Sequence, residues 1–152
     1  VEFIEAPVQE FFKENDLTYE VSELPWGKRY ETPDKLLKIY VADFYEINID
    51  DVGKFDIIWD RGVLPTVKVT DRERYSKLLK KLCKENFIYL LQTLQHDGET
   101  DRNPRPTSHE DVQNMFGDWC KVELIMQNDI SEKFARLGLD KGYKSYHLLT
   151  PK

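Results

Sequence analysis

The chain has 152 residues, of which 40% are hydrophobic and 12% aromatic, a composition typical of a packed globular domain that excludes a disordered tail. Its 22 basic and 28 acidic residues leave a net charge of −6, which argues against general nucleic-acid binding because phosphates require a basic surface. No apolar run approaches the roughly 18 residues of a membrane span, and no signal-peptide pattern is present, so we expect no membrane association and a cytoplasmic location.

Hydrophobic periodicity predicts an alternation of strands and helices. In chain order, the predicted elements are a strand end at residues 1–4, a helix over 6–13, a short strand near 28–31, strands over 36–42 and 55–59, a helix over 70–84, a strand over 87–94, a helix over 107–117, a strand over 119–126, a helix over 129–137 and a strand over 143–149. Three helices are predicted from apolar stripes, formed by Val8, Phe11 and Phe12, by Tyr75, Leu78, Leu79 and Leu82, and by Val112, Met115 and Phe116.

These elements predict an α/β fold with a mostly parallel sheet that helices cover on both faces. The strand over residues 87–94 lacks alternation, which indicates burial on both sides. The last two strands have no long crossover between them, so we expect them to pair antiparallel at one edge. The chain starts at Val1 inside an apolar stretch, and we therefore expect a single but incomplete or processed domain over residues 1–152.

Ligands of an open parallel sheet bind beyond the carboxyl ends of its strands, and that rule selects several groups. Glu2 ends the first strand, where an acid can hold a ribose through its hydroxyls; a surface glutamate is the alternative. Asp43 and Phe44 end the second strand and could flank an adenine ring; from the pattern alone, a turn residue beside a core aromatic is the simpler explanation.

Trp59-Asp60-Arg61-Gly62 is the most unusual of these strand ends. An arginine there can hold a carboxylate or a thiolate through its planar guanidinium group. The alternative is an internal contact in which Asp60 neutralises Arg61.

His96 and Asp97 follow the most apolar strand in a segment that could cover a pocket, and an acid–base role for His96 is one hypothesis. Adjacent loop residues seldom orient each other, so a structural role is the alternative. His109 and His147 are interpreted as helix-start and strand residues, and the three histidines predict no metal site. Cys83 and Cys120 are expected to be reduced thiols, with a disulfide between them as the second option.

Several stretches together resemble the thiopurine S-methyltransferase family. They are Gln9-Glu10-Phe11-Phe12, Gly53-Lys54-Phe55-Asp56-Ile57-Ile58-Trp59-Asp60-Arg61-Gly62, Tyr89-Leu90-Leu91, Phe116-Gly117 and Leu148-Leu149-Thr150-Pro151-Lys152. The resemblance implies a Rossmann-like class I methyltransferase fold with an antiparallel last strand. It also implies methyl transfer from S-adenosylmethionine to the sulfur of a small aromatic or heterocyclic thiol, by a protein expected to act as a monomer.

The resemblance implies a role for particular residues. Glu2 would bind the ribose of the cofactor, its neighbour Phe3 would also contact the cofactor, and Asp43 and Phe44 would flank the adenine. Arg61 would lie near the methionine end of the cofactor and favour the thiolate form of the acceptor.

Two departures from the family affect the acceptor side. Lys133 stands where the family has a second arginine, although Arg136 could replace it, and the loop over residues 102–107 is more polar than in the family. Substrate contacts are accordingly expected from Arg61, Lys133 and Arg136.

The family's first strand and glycine-containing turn have no counterpart in these residues. We therefore expect this polypeptide alone to bind S-adenosylmethionine weakly or not at all, which micromolar binding in titration calorimetry would contradict. Two alternatives stay open: an inactive interaction module that keeps the fold, and a methyltransferase for another small acceptor such as an amine or a metalloid.

Overall fold

A computed structural model describes residues 1–99, 103–136 and 138–152; Arg102 of the polar loop and Leu137 at the end of the predicted helix over 129–137 lie outside them. The chain divides into two compact units, Val1–Gly53 and Lys54–Lys152. The elements are α1 (Glu5–Glu14), β1 (Glu20–Leu24), β2 (Gly27–Glu31), β3 (Lys38–Val41), α2 (Ile49–Val52), β4 (Phe55–Arg61), α3 (Arg72–Leu82), β5 (Cys83–His96), α4 (His109–Phe116), β6 (Cys120–Asp129), α5 (Ser131–Ala135) and β7 (Gly142–Pro151).

The first unit is a three-stranded antiparallel sheet in the order β1-β2-β3. Its core contains Val8 and Phe12 from α1 and Tyr30 from β2, against which the apolar residues of β3 pack. The segment before α1 joins the far side of β3 through one parallel bridge between Glu2 and Val41. This bridge is the observed form of the strand end predicted at residues 1–4.

The second unit contains a four-stranded sheet in the order β4-β5-β7-β6. β5 runs parallel to β4, and β7 runs antiparallel to both β5 and β6. Three strands therefore share one direction and the last strand opposes them, which confirms the predicted α/β class and the antiparallel last strand. The last two strands pair as expected, with β7 placed between β5 and β6.

Helices α3 and α4 cover one face of this sheet. Tyr75 of α3 reaches Asp60 of β4, and Phe116 of α4 meets Tyr89 of β5 edge to face, with ring centroids 5.6 Å apart. Helix α4 begins with a capping box, in which Ser108 and Asp111 exchange side-chain and backbone hydrogen bonds. A serine three residues before an acid is a weaker relative of the usual capping-box pattern, in which the acid position is Glu or Gln.

Some local predictions were wrong. β1 was not predicted, because its residues are mostly polar and exposed and it pairs only with β2. Phe11 is 39% exposed, since the core of the first unit uses only Val8 and Phe12 of the predicted stripe. Ile88 is 48% exposed, so β5 is not buried on both sides along its whole length.

Helix α5 packs against β7 of the four-stranded sheet. Ile57 and Trp59 of β4 remain 68% and 54% exposed. Helices α3 and α4 thus pack on the face of Asp60 and Tyr89, whereas Ile57 and Trp59 on the other face of β4 stay exposed, so the expected cover by helices on both faces is incomplete.

Candidate active site

The first group of site residues lies where the segment of Glu2 runs beside the end of β3. The Glu2 amide donates to the Tyr40 carbonyl at 2.8 Å, and the Ala42 amide donates to the Glu2 carbonyl at 2.9 Å. Because the bridge is parallel, Glu2 and Asp43 lie at the carboxyl ends of two neighbouring chain segments. The geometry therefore brings together the acid and the Asp–Phe pair that the sequence singled out separately.

The side chains of this group are held by their own backbone. One Glu2 carboxylate oxygen accepts from the amides of Phe3 and Ile4 at 2.8 and 3.2 Å. Asp43 accepts from the Tyr45 amide at 2.8 Å and caps the short 3₁₀ turn Phe44–Glu46. Glu2, Phe3 and Asp43 are exposed and Phe44 is half-buried, so a ligand could reach all four residues.

The second group lies at the carboxyl end of β4, within the other unit. Asp60 is 4% exposed, whereas the next residue, Arg61, is exposed. Gly62 has a φ of 80°, a left-handed conformation that favours glycine, and it turns the chain directly after Arg61. No ion pair joins Asp60 to Arg61 or Arg61 to any other residue that the structure describes.

Asp60 accepts two hydrogen bonds instead, from the Tyr75 hydroxyl at 2.5 Å and the Tyr89 hydroxyl at 2.8 Å. The alternative of mutual neutralisation by Asp60 and Arg61 is therefore wrong. Burial raises the pKa of Asp60, while the two tyrosine hydroxyls and the Val63 amide act in the opposite direction. Sequence reasoning missed both tyrosines, although the placement of Tyr75 on the apolar face of α3 already predicted that it points towards the sheet.

His96 is fixed by the backbone around it. Its Nε2 lies 2.5 Å from the Pro104 carbonyl, and its Nδ1 accepts from the Gly98 amide at 3.0 Å. Phe134 packs against the imidazole, with ring centroids 5.2 Å apart. Because both ring nitrogens already have backbone partners, the structure favours a structural role for His96 over an acid–base role. Asp97 likewise accepts weakly from the amides of Asp140 and Lys141 at 3.3 and 3.5 Å.

Cys83 and Cys120 are free buried thiols, as expected. Burial raises the pKa of Cys83 to about 11 and that of Cys120 to about 12, so neither forms the thiolate that a cysteine nucleophile requires at neutral pH. No helix among the described residues is long and apolar enough to cross a membrane.

Comparison with known proteins identifies the family. The family model described as thiopurine S-methyltransferase matches residues 1–152. The chain belongs to the thiopurine S-methyltransferase family. It is 34% identical to a probable thiopurine S-methyltransferase of Danio rerio over 157 residues, and 30% and 29% identical to thiopurine S-methyltransferases of Panthera leo and Bos taurus.

Each of these alignments covers the whole chain but only part of the relative, 68% for Danio rerio and 64% for the two mammals. The chain thus spans about two thirds of the length of these family members. A solved structure concerned with conversion of a disulfide bond into a thioacetal group during echinomycin biosynthesis aligns with 74% of this chain and 54% of its own, at 13% identity and a TM-score of 0.46. That likeness is too low to support an assignment.

The remaining residues that the thiopurine S-methyltransferase resemblance selects are on and after α5. Lys133 lies within this helix and Arg136 caps its end; both are exposed. Phe134 between them is 5% exposed and packs beneath His96. Substrate contacts from Lys133 and Arg136, and the convergence of Glu2, Asp43 and Arg61 on one cofactor, stay predictions.

Proposed function

We propose that the protein transfers the methyl group of S-adenosylmethionine to the sulfur of a small aromatic or heterocyclic thiol. The observation that carries the proposal is that Glu2, Asp43 and Arg61 are all exposed at strand ends. Glu2 forms the parallel bridge to β3, Asp43 comes just after β3, and Arg61 is the last residue of β4. In a family member these are the positions where ligands of an open sheet bind. The names of the relatives support a thiopurine as one acceptor.

The residues of the first unit fit the cofactor by their chemistry. The second Glu2 oxygen is exposed and can accept from ribose hydroxyls while the first holds the backbone. Asp43 keeps one carboxylate oxygen for an exocyclic amine, because its other oxygen caps the turn. Phe44 supplies a half-buried ring beside it. When bound, S-adenosylmethionine supplies a methyl group activated by a sulfonium sulfur.

Arg61 acts on the acceptor. The nucleophile of a thiol is its thiolate, and a guanidinium group nearby lowers the pKa of the acceptor thiol by stabilising that anion. Because Arg61 is exposed, water screens the attraction, and its contribution is on the order of 1 kcal/mol until the acceptor itself excludes water. Lys133 and Arg136 add positive charge for an anionic acceptor without a fixed bidentate geometry.

The proposal includes a monomeric protein in the cytoplasm. Two free and buried cysteines support an intracellular location, and size-exclusion chromatography with light scattering tests the oligomeric state. A dimer at micromolar concentration would contradict that part.

The test is methyl transfer from S-adenosylmethionine to a thiopurine, detected as the S-methyl product by mass spectrometry. Adenine, which has an amine in place of the thiol, is the matched acceptor and should not react. Glu2→Gln should lose activity, whereas Glu10→Gln, a change at an exposed helix position, should keep it. Because this polypeptide alone is expected to bind S-adenosylmethionine weakly or not at all, the assay is decisive in a preparation that binds the cofactor. Cofactor binding without transfer to the thiopurine would refute the proposal and favour the inactive interaction module, and methylation of adenine would favour the amine acceptor.

A further inference from the structure

The buried carboxylate of Asp60 joins three elements of the second unit. It lies at the end of β4 and accepts from Tyr75 of α3 and Tyr89 of β5, both through the same oxygen. Tyr89 is fully buried and Tyr75 is 3% exposed, so these hydrogen bonds are shielded from water. A charged acceptor in such surroundings makes stronger hydrogen bonds than a neutral one.

The burial of this carboxylate determines the face of the sheet from which Arg61 projects. Successive residues of a strand face opposite sides of the sheet, and Asp60 pairs with Leu91 on the face that α3 and α4 cover. Arg61 must therefore project from the other face. A slip of one residue would exchange the two side chains and bury the arginine, and the two tyrosines would then lose their acceptor.

The protonation states agree with this arrangement. Burial raises the pKa of Tyr89 well above its ordinary value, so that its hydroxyl remains a donor. The hydroxyls of Tyr75 and Tyr89 in turn favour the ionised carboxylate against the effect of burial. The contacts are thus consistent with a fixed link between the helix, the neighbouring strand and the end of β4.

We propose that Asp60, held by Tyr75 and Tyr89, is a positioning residue that presents Arg61 to the acceptor thiol. The proposal rests on the proposed role of Arg61 and adds to it the device that fixes its direction. Arg61 makes no ion pair within the described part of the chain. Its direction is therefore set by the hydrogen bonds of Asp60 on the opposite face of the strand, and not by a partner of its own guanidinium group. Gly62, at a φ of 80°, ends the strand directly after Arg61.

The experiment compares Tyr75→Phe and Tyr89→Phe, which each remove one donor, with Ser76→Ala. Ser76 is the matched control: it lies on α3, is 4% exposed, and joins the Met115 carbonyl and Trp119 without touching Asp60. Two quantities are measured on the full chain, namely hydrogen exchange of residues 58–62 and the affinity for 2-nitro-5-thiobenzoate, an aromatic thiolate used as the probe.

The tyrosine variants should speed exchange of residues 58–62 about fivefold, the factor expected for one lost buried hydrogen bond, and should weaken probe binding by a similar factor. Ser76→Ala should change neither quantity by more than its effect on global unfolding. Asp60→Asn keeps an oxygen that accepts from both hydroxyls but lacks the charge, so it should weaken probe binding less than Asp60→Ala, which removes the acceptor. If Asp60→Ala fails to fold, the tyrosine variants still decide the matter.

Arg61→Met separates this proposal from the one on which it rests. If the probe binds Arg61→Met and the wild type equally well, the acceptor role of Arg61 is refuted. If Arg61→Met binds more weakly, but Tyr75→Phe and Tyr89→Phe match Ser76→Ala in both exchange and affinity, the positioning role alone is refuted.

Discussion

His147 should make the second unit sensitive to acid. It is fully buried in β7, its ring nitrogens form no well-aligned hydrogen bond with the described residues, and its ring stacks on His109 at the start of α4 with centroids 5.3 Å apart. Burial first, and His109 second, lower the pKa of His147 from 6.5 to about 4, against a smaller opposing effect of the Leu91 carbonyl. The folded chain therefore keeps this imidazole neutral at a pH where the unfolded chain protonates it.

The sign of the effect follows from this difference. The folded state binds fewer protons than the unfolded state, so the stabilising contribution is complete above pH 6.5 and is lost as the pH falls from 6.5 to about 4. One pKa unit corresponds to about 1.4 kcal/mol, so the full loss is about 3 kcal/mol, and at pH 5 it is about 2 kcal/mol. A loss of this size is a large fraction of the stability of an ordinary domain.

The measurement is urea unfolding followed by tryptophan fluorescence at pH 7.5, 6, 5 and 4.5. His147→Leu removes the titrating group and the two unpaired nitrogens, so it should be at least as stable as the wild type at pH 7.5 and lose about 2 kcal/mol less on acidification to pH 5. Val112→Ala, a non-titrating change in the core of α4, controls for loosened packing and should keep the wild-type pH dependence. An acid transition that is the same in the wild type and in His147→Leu would refute the reasoning.

The remaining predictions concern the site and the turns that shape it. Arg61→Lys should keep part of the thiol methylation rate and Arg61→Met should lower kcat/KM about fivefold, since an exposed charge contributes on the order of 1 kcal/mol; an unchanged kcat/KM in Arg61→Met would contradict this. Ser108→Ala should lower the free energy of unfolding by about 1 kcal/mol through loss of the capping box, whereas Glu110→Gln next to it should have a smaller effect; the comparison is made by urea unfolding. Gly62→Ala should cost about 1 kcal/mol, because the left-handed conformation and not lack of space opposes a side chain there, and a smaller cost in Gly62→Asn would confirm that cause.

The elements that sequence predicts well are those whose pattern is local. The cap of α4 depends on Ser108 and Asp111 three residues apart, and the apolar face of α3 contains Tyr75, Leu79 and Leu82, all buried. β1 lacks such a signal, because a polar hairpin strand is specified by its partner and not by its own residues. The exposure of Ile88 is equally non-local, since it depends on which helices cover each face of the sheet.

In the candidate site, too, local features can be predicted from the sequence and non-local ones cannot. That Arg61 ends a strand can be read from the sequence, but the direction of its side chain cannot, because two adjacent charges on a strand give no indication of which one faces the core. Which of the two faces the core is set by Tyr75 and Tyr89, 15 and 29 positions away from Asp60, because their hydroxyls provide hydrogen bonds to the buried acid. Asp60 and Arg61 therefore act together. The tyrosine hydroxyls stabilise the buried carboxylate of Asp60, and because Asp60 is buried, Arg61 projects from the opposite face of the strand, where it can reach a ligand.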